Sequence, residues 1–99
     1  MEIIKTPVGK ILYVDLGDRI LLDLIYIEPE FRGQGFGDRH LSQFVHTFGD
    51  KEIIIAVSDG FGSDINELVK WYERYGFRTV TSNGYWRYNR MERKANAKN

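Results

Sequence analysis

An α/β fold, with two helices on a mixed and largely antiparallel sheet, follows from three observations on the sequence. Two stretches carry apolar residues at the i, i+3, i+4, i+7 spacing of one helix face. They are Leu41, Phe44, Val45 and Phe48 in the first, and Ile65, Leu68, Val69 and Tyr72 in the second. Short runs rich in β-branched and aromatic residues surround them, punctuated by Gly, Pro, Asn and Asp, which is the pattern of strands and turns. One junction, from Leu24 to Phe48, passes from strand through a glycine-rich loop into a helix. The element order reads β-β-β-α-β-α-β-β.

Taken in order, Glu2 to Thr6 is a strand that enters a turn at Pro7-Val8-Gly9. Lys10 to Leu16 is a second strand, and Gly17-Asp18 is a hairpin signal. Arg19 to Glu28 is nearly apolar on both faces apart from Asp23, so it belongs in the middle of the sheet. Pro29 ends it, because proline has no N–H for a ladder. The first helix covers Gly37 to Phe48 and stops at Gly49. Glu52 to Val57 contains three consecutive Ile and is a strand parallel to Arg19–Glu28, since it follows a helix that follows a strand. Ser58 to Ser63 is a loop. Asp64 to Tyr75 is the second helix, with Ser63 or Asp64 as N-cap and Gly76 at its close. Phe77 to Thr81 is a strand, Ser82-Asn83-Gly84 a hairpin turn, and Tyr85 to Met91 the return strand. One domain spans residues 1–93, and the polar residues 94–99 form a frayed tail.

The bulk numbers exclude several functions. At 99 residues there is room for one small domain, and a hydrophobic fraction of 42% supports a core. The formal net charge is zero, which gives no electrostatic drive toward nucleic acid or an anionic membrane. With no Cys there is no disulfide framework, no thiolate zinc site and no Cys nucleophile. His40 and His46 lack companion ligands, so no metal is expected. No apolar run is long enough to span a membrane, and a cytoplasmic protein is the expectation. The aromatic residues Trp71, Tyr75, Tyr85, Trp86 and Tyr88 read as packing rather than base stacking.

The chemistry gathers at Arg32-Gly33-Gln34-Gly35-Phe36-Gly37. The first N–H groups of a helix have no intrahelical partner, and the helix dipole adds partial positive charge there. Glycines let an anion approach those groups, and Arg32 adds a charged fork beside them. A phosphate or pyrophosphate suits this place. The spacing is not the dinucleotide fingerprint, whose third glycine would stand where Asp38 is, and no Lys-Ser/Thr follows as in a P-loop. Asp38 puts a carboxylate in the first helical turn, suited to the dipole and opposed to an anion bound close by.

These residues resemble the GCN5-related N-acetyltransferases, which move an acetyl group from acetyl-coenzyme A to an amine. Ile27-Glu28-Pro29 followed by Arg32 to Gly37 is similar to that family's strand and its Arg/Gln-x-x-Gly-x-Gly/Ala loop. Trp71-Tyr72-Glu73-Arg74-Tyr75-Gly76-Phe77 is similar to its second signature. The resemblance implies that the amides of Gly33, Gln34, Gly35, Phe36, Gly37 and Asp38, with Arg32, hold the pyrophosphate of coenzyme A. It implies that the backbone of Tyr26 and Ile27 pairs with the pantetheine arm as an added strand, between strands that splay apart. It makes Tyr72 the proton donor to the leaving thiolate, and a strand N–H near Ile27 the group that holds the developing oxygen charge.

For the base that deprotonates the amine, Asp23 and Glu28 are the candidates. Asp23 interrupts an apolar run, which predicts partial desolvation and a raised pKa. The family's usual glutamate falls nearer Leu21. An Asn that commonly precedes the Tyr by seven residues falls on Ile65, with Asn66 one place off. The chain starts at what corresponds to the family's second strand and lacks the two helices that usually shape the acceptor site. The acceptor groove is then open, or a second copy in a homodimer completes it. The alternative function is a non-catalytic module that binds coenzyme A or another protein.

Overall fold

The computed structural model describes residues 1–57, 64–80 and 89–96. The expected loop at 58–63, the hairpin turn at 82–84, the start of the return strand with Tyr85, Trp86, Arg87 and Tyr88, and residues 97–99 lie outside them.

Six strands form one sheet in the order β1-β2-β3-β4-β6-β5. β1 is Glu2–Thr6, β2 Gly9–Asp15, β3 Arg19–Ile27, β4 Glu52–Val57, β5 Arg78–Thr79 and β6 Asn89–Arg93. Helix α1 is Phe36–Phe48 and helix α2 is Ile65–Glu73. The expected class and order therefore hold, and the parallel pair is β3 with β4, as a strand–helix–strand crossover requires. The last strand departs from simple succession: β6 inserts between β4 and β5 and pairs antiparallel with both. α2 covers the whole apolar face but is shorter than the expected Asp64 to Tyr75. Asp64 caps it, with Oδ1 accepting from the Asn66 N–H at 2.8 Å, and the helix ends at Glu73. β5 keeps only Arg78–Thr79, while Phe77 enters the core instead of the ladder.

Alternation places Ile20 and Leu22 of β3, and Ile53, Ile55 and Val57 of β4, in one buried cluster with Ile11, Met91, Phe77, Leu41 and Phe44 of α1 and Tyr72 of α2. Each such side chain contributes roughly 1.5–3 kcal/mol by leaving water. Tyr13, Phe44 and Phe48 close the α1 end of the core, with ring centroids 4.8 to 5.6 Å apart. The tail is not frayed at its start: the Asn96 N–H donates to the Gly49 carbonyl at 2.7 Å, and Arg93 Nη2 donates to Asn96 Oδ1.

Two irregularities in the β2–β3 pair shape the strand that leads into the glycine loop. Leu12 pairs with Leu24 and Tyr13 with Leu22, so Asp23 is an extra residue in β3, a bulge. Gly9 lies opposite Ile27 and so close to β3 that a Cβ there would stand 1.9 Å from the Tyr26 carbonyl oxygen. No side chain fits that approach. Gly9→Ala is expected to push β2 off Tyr26 and Ile27 and to cost more than about 2 kcal/mol, in the range of strongly destabilising substitutions. A urea titration checks it, and an unchanged midpoint would contradict the close approach.

Candidate functional site

The glycine loop is joined to the end of β3 by a single 3-10 turn at Pro29–Phe31. Proline at the first position supplies the fixed φ that starts such a turn. Gly33 and Gly35 then adopt left-handed backbone, φ 77° and 83°, which other L-residues adopt only with strain. Open space lies where their side chains would be. Gly35 is the N-cap of α1 and, having no side chain, leaves the helix start uncapped. Among the described residues, no acceptor is bonded to the amides of Gly33, Gln34, Gly35, Phe36, Gly37 or Asp38. The first amide of this segment with a partner is that of Arg39, which donates to the Gly35 carbonyl. Six successive amides thus stand without partners at the positive end of a 13-residue helix, where the dipole favours negative charge.

Arg32 is engaged on the strand side. Its Nε donates to the Ile27 carbonyl at 2.8 Å, and its guanidinium carbon lies 5.3 Å from the centroid of the Tyr26 ring. Gln34 Nε2 donates to the Glu30 carbonyl at 3.2 Å. Lys10 approaches the same Tyr26 ring at 5.8 Å. Arg32, Tyr26 and Ile27 are thus one contact group beside the loop.

Next to this group the sheet parts. The registered β3–β4 pairs run from Arg19 with Glu52 to Leu22 with Ile55 and stop there, although β3 continues to Ile27. The bulge at Asp23 begins where the pairs end. Asp23 is exposed, so the expected desolvation is absent. Glu28 is also exposed, and its N–H donates to the Val8 carbonyl at 2.8 Å. The two carboxylates flank the segment from Leu24 to Ile27, one at each end.

Tyr72 lies on the buried face of α2, with its ring 5.6 Å from Phe77 and 5.0 Å from Trp71. Burial pushes its phenol up to about 12. Its hydroxyl makes no hydrogen bond among the described residues, and none of their fully enclosed side-chain oxygens lacks a partner. The hydroxyl is therefore not sealed in, and it can donate to a group from outside.

Four contacts here escape a reading of the sequence. Trp71 Nε1 donates to Asp38 Oδ1 at 2.6 Å, and the Tyr75 hydroxyl donates to the same oxygen at 2.7 Å. These two bonds hold the Asp38 carboxyl below the usual range. Burial, with the Asp38 carboxylate second, pushes the Tyr75 phenol up. His40 bridges α1 to the β1–β2 turn, with Nε2 2.8 Å from Thr6 Oγ1 and Nδ1 2.7 Å from the Phe36 carbonyl oxygen. The ring nitrogen facing that carbonyl must be a donor. The only signal for the Asp38 bonds was the misfit of a carboxylate at an anion cradle. Among the described residues no group of acidic or His side chains is arranged to hold a metal ion, and no helix is long and apolar enough to cross a membrane.

Comparison with known proteins gives one consistent outcome. Residues 4–91 match the model of the acetyltransferase (GNAT) domain. No curated protein matches the sequence. The fold is similar to a GNAT-family protein from Bacteroides thetaiotaomicron, with TM-score 0.75 at 18% identity over 89% of this chain and 55% of that one. It is also similar to the ribosomal-protein-S18-alanine N-acetyltransferase of Escherichia coli, with TM-score 0.73 at 16% identity over 93% of this chain and 64% of that one. The PaiA N-acetyltransferase of Thermoplasma acidophilum, solved in complex with coenzyme A, matches with TM-score 0.62 at 19% identity, over 88% of this chain and 53% of its own. The chain thus spans between half and two thirds of the length of these three. It spans 95% of the anti-CRISPR protein AcrVA5, with TM-score 0.67 at 16% identity.

Proposed function

Since the chain belongs to the GNAT acetyltransferase domain family, we propose that it is an N-acetyltransferase that binds acetyl-coenzyme A at the glycine loop and passes the acetyl group directly to an amine. The observation that carries this reading is the run of six unpartnered amides from Gly33 to Asp38, next to the place where β3 and β4 part. In this reading one domain, residues 1–93, does the work, and residues 94–99 are a tail.

The residues present fit such a cofactor. The loop amides and the part of the Arg32 guanidinium not used by Ile27 hold the pyrophosphate. Main-chain groups of Tyr26 and Ile27 pair with the pantetheine arm. The Ile27 carbonyl already accepts from Arg32, so pairing there exchanges one bond for another. Acetyl-coenzyme A supplies the activated thioester. Transfer forms a C–N bond and breaks the C–S bond; the amine loses a proton and the leaving thiolate gains one. Asp23 or Glu28, both exposed, takes the amine proton directly or through water. A main-chain N–H near Ile27 steadies the oxygen charge.

Tyr72 donates to the sulfur. A thiol has a pKa of about 8.5, so a phenol near 12 is the weaker acid. Complete transfer from Tyr72 alone is uphill by about 5 kcal/mol. Its contribution is a hydrogen bond that strengthens as charge collects on sulfur, with the proton replaced from the amine side. The acceptor stands at the sheet face that neither helix covers, completed there by the acceptor itself or by a second copy of the chain. The cytoplasm supplies both substrates.

The alternative is a module that binds coenzyme A or a protein without turnover. Calorimetry with acetyl-coenzyme A, followed by a thiol-release assay over amines, peptide N-termini and lysine peptides, separates the two. Saturable binding with release on at least one acceptor is expected; binding with no release over the panel would leave only the module, and no binding would remove the enzyme and the coenzyme A module and leave only one that binds a protein.

A further inference from the structure

We infer that Trp71 and Tyr75 are positioning residues that hold the Asp38 carboxylate away from the anion cradle, so that the chain's own negative charge does not compete there. The inference rests on the reading that the glycine loop holds the pyrophosphate.

A carboxylate in the first turn of a helix is drawn to the open N–H groups of that turn by the dipole and by hydrogen bonding. Asp38 has that position in α1, and six amides without partners stand beside it. Its Oδ1 turns instead to α2 and the turn that follows it, where Trp71 Nε1 at 2.6 Å and the Tyr75 hydroxyl at 2.7 Å both donate to it. Two donors on one oxygen, from residues four apart in sequence, fix its direction. The Trp71 indole also packs against the first turn of α1, 3.6 Å from where a Cβ on Gly37 would be. Arg74 adds a favourable charge on the same side. By the same two bonds the end of α2 that carries Tyr72 is tied to the start of α1.

A plain helix-to-helix clamp predicts something different from a lock on a competing charge. In Trp71→Phe/Tyr75→Phe both rings remain but both donors are lost. The carboxylate is then free to swing to the open amides, where it repels and displaces phosphate oxygens. Affinity for acetyl-coenzyme A is expected to fall at least 10-fold. Adding Asp38→Asn to that variant removes the charge and is expected to restore affinity to within about 2-fold of the parent, a non-additive outcome of the kind double-mutant cycles detect. A clamp would give no rescue, because Asp38→Asn does nothing to re-tie the helices; failure of that rescue overturns the inference.

A second readout does not need the double variant to fold. In a Trp86→Phe background the indole N–H proton of Trp71 is expected well downfield in NMR, as a hydrogen bond to carboxylate requires, and to move upfield in Asp38→Ala. An indole proton at the position of free tryptophan in the parent would overturn the inference. Loss of binding by the parent itself would instead overturn the reading of the loop, and the inference with it.

Discussion

Gly35→Glu is expected to lower affinity for acetyl-coenzyme A by more than about 100-fold. Two effects add. At φ 83° a residue with a Cβ costs on the order of 1–3 kcal/mol, which the loop relieves by moving its amides. The new carboxylate also stands in the open space beside the unpartnered N–H groups, the place assigned to the pyrophosphate. Gly35→Asn separates these effects. Asn tolerates left-handed backbone better than other residues and brings no charge, so it is expected to keep binding within about 10-fold at a similar melting temperature. Calorimetry on the three proteins checks the series, and an unchanged affinity in Gly35→Glu would remove the loop from the site.

Tyr72→Phe carries the second large effect. A positioned proton donor contributes about 10²-fold or more to the rate, so kcat is expected to fall about 100-fold while the dissociation constant of acetyl-coenzyme A changes less than about 3-fold. The ring stays, so packing against Phe77 and Trp71 stays. Equal losses in kcat and affinity would make Tyr72 a structural residue only. The pH dependence has a definite sign. Burial raises the Tyr72 phenol from 10.0 to about 12, so folding favours its neutral form. That stability is present below pH 10 and is lost as the pH rises from about 10 through 12, up to about 3 kcal/mol. Tyr72→Phe is therefore expected to resist alkaline unfolding better than the parent. Between pH 7 and 10 Tyr72 stays protonated, so parent and variant share one profile shape, which a pH series of initial rates measures.

What the sequence made legible, and what it did not, has a physical division. The two helices and the order of strands were readable because each rests on local periodicity and on turn residues next to it. Pro29 and the glycines after it marked the strand-to-helix junction for the same reason. The insertion of β6 between β4 and β5 was not readable, since pairing across the sheet leaves no local trace. The Asp23 bulge shows the same limit. A polar residue in an apolar run suggested a desolvated carboxylate, but the cross-strand register makes it the extra, exposed residue. Gly9 read as a turn glycine, whereas its need comes from the Tyr26 carbonyl 17 residues away. Trp71 and Tyr75 meet Asp38 across 33 and 37 residues. Helical spacing put Tyr72 on the apolar face, and its burial agrees; its role, like that of the loop residues, Asp23 and Glu28, is a proposal that solution measurements test.

The central claim is that the amides from Gly33 to Asp38 hold the phosphates of acetyl-coenzyme A. An amide-resolved NMR titration of the intact chain with acetyl-coenzyme A addresses it residue by residue. The account predicts saturable downfield shifts of the Gly33, Gln34, Gly35, Phe36, Gly37 and Asp38 N–H protons, as each gains a phosphate acceptor. Saturation with those six unmoved, or no saturation at millimolar ligand, would contradict it.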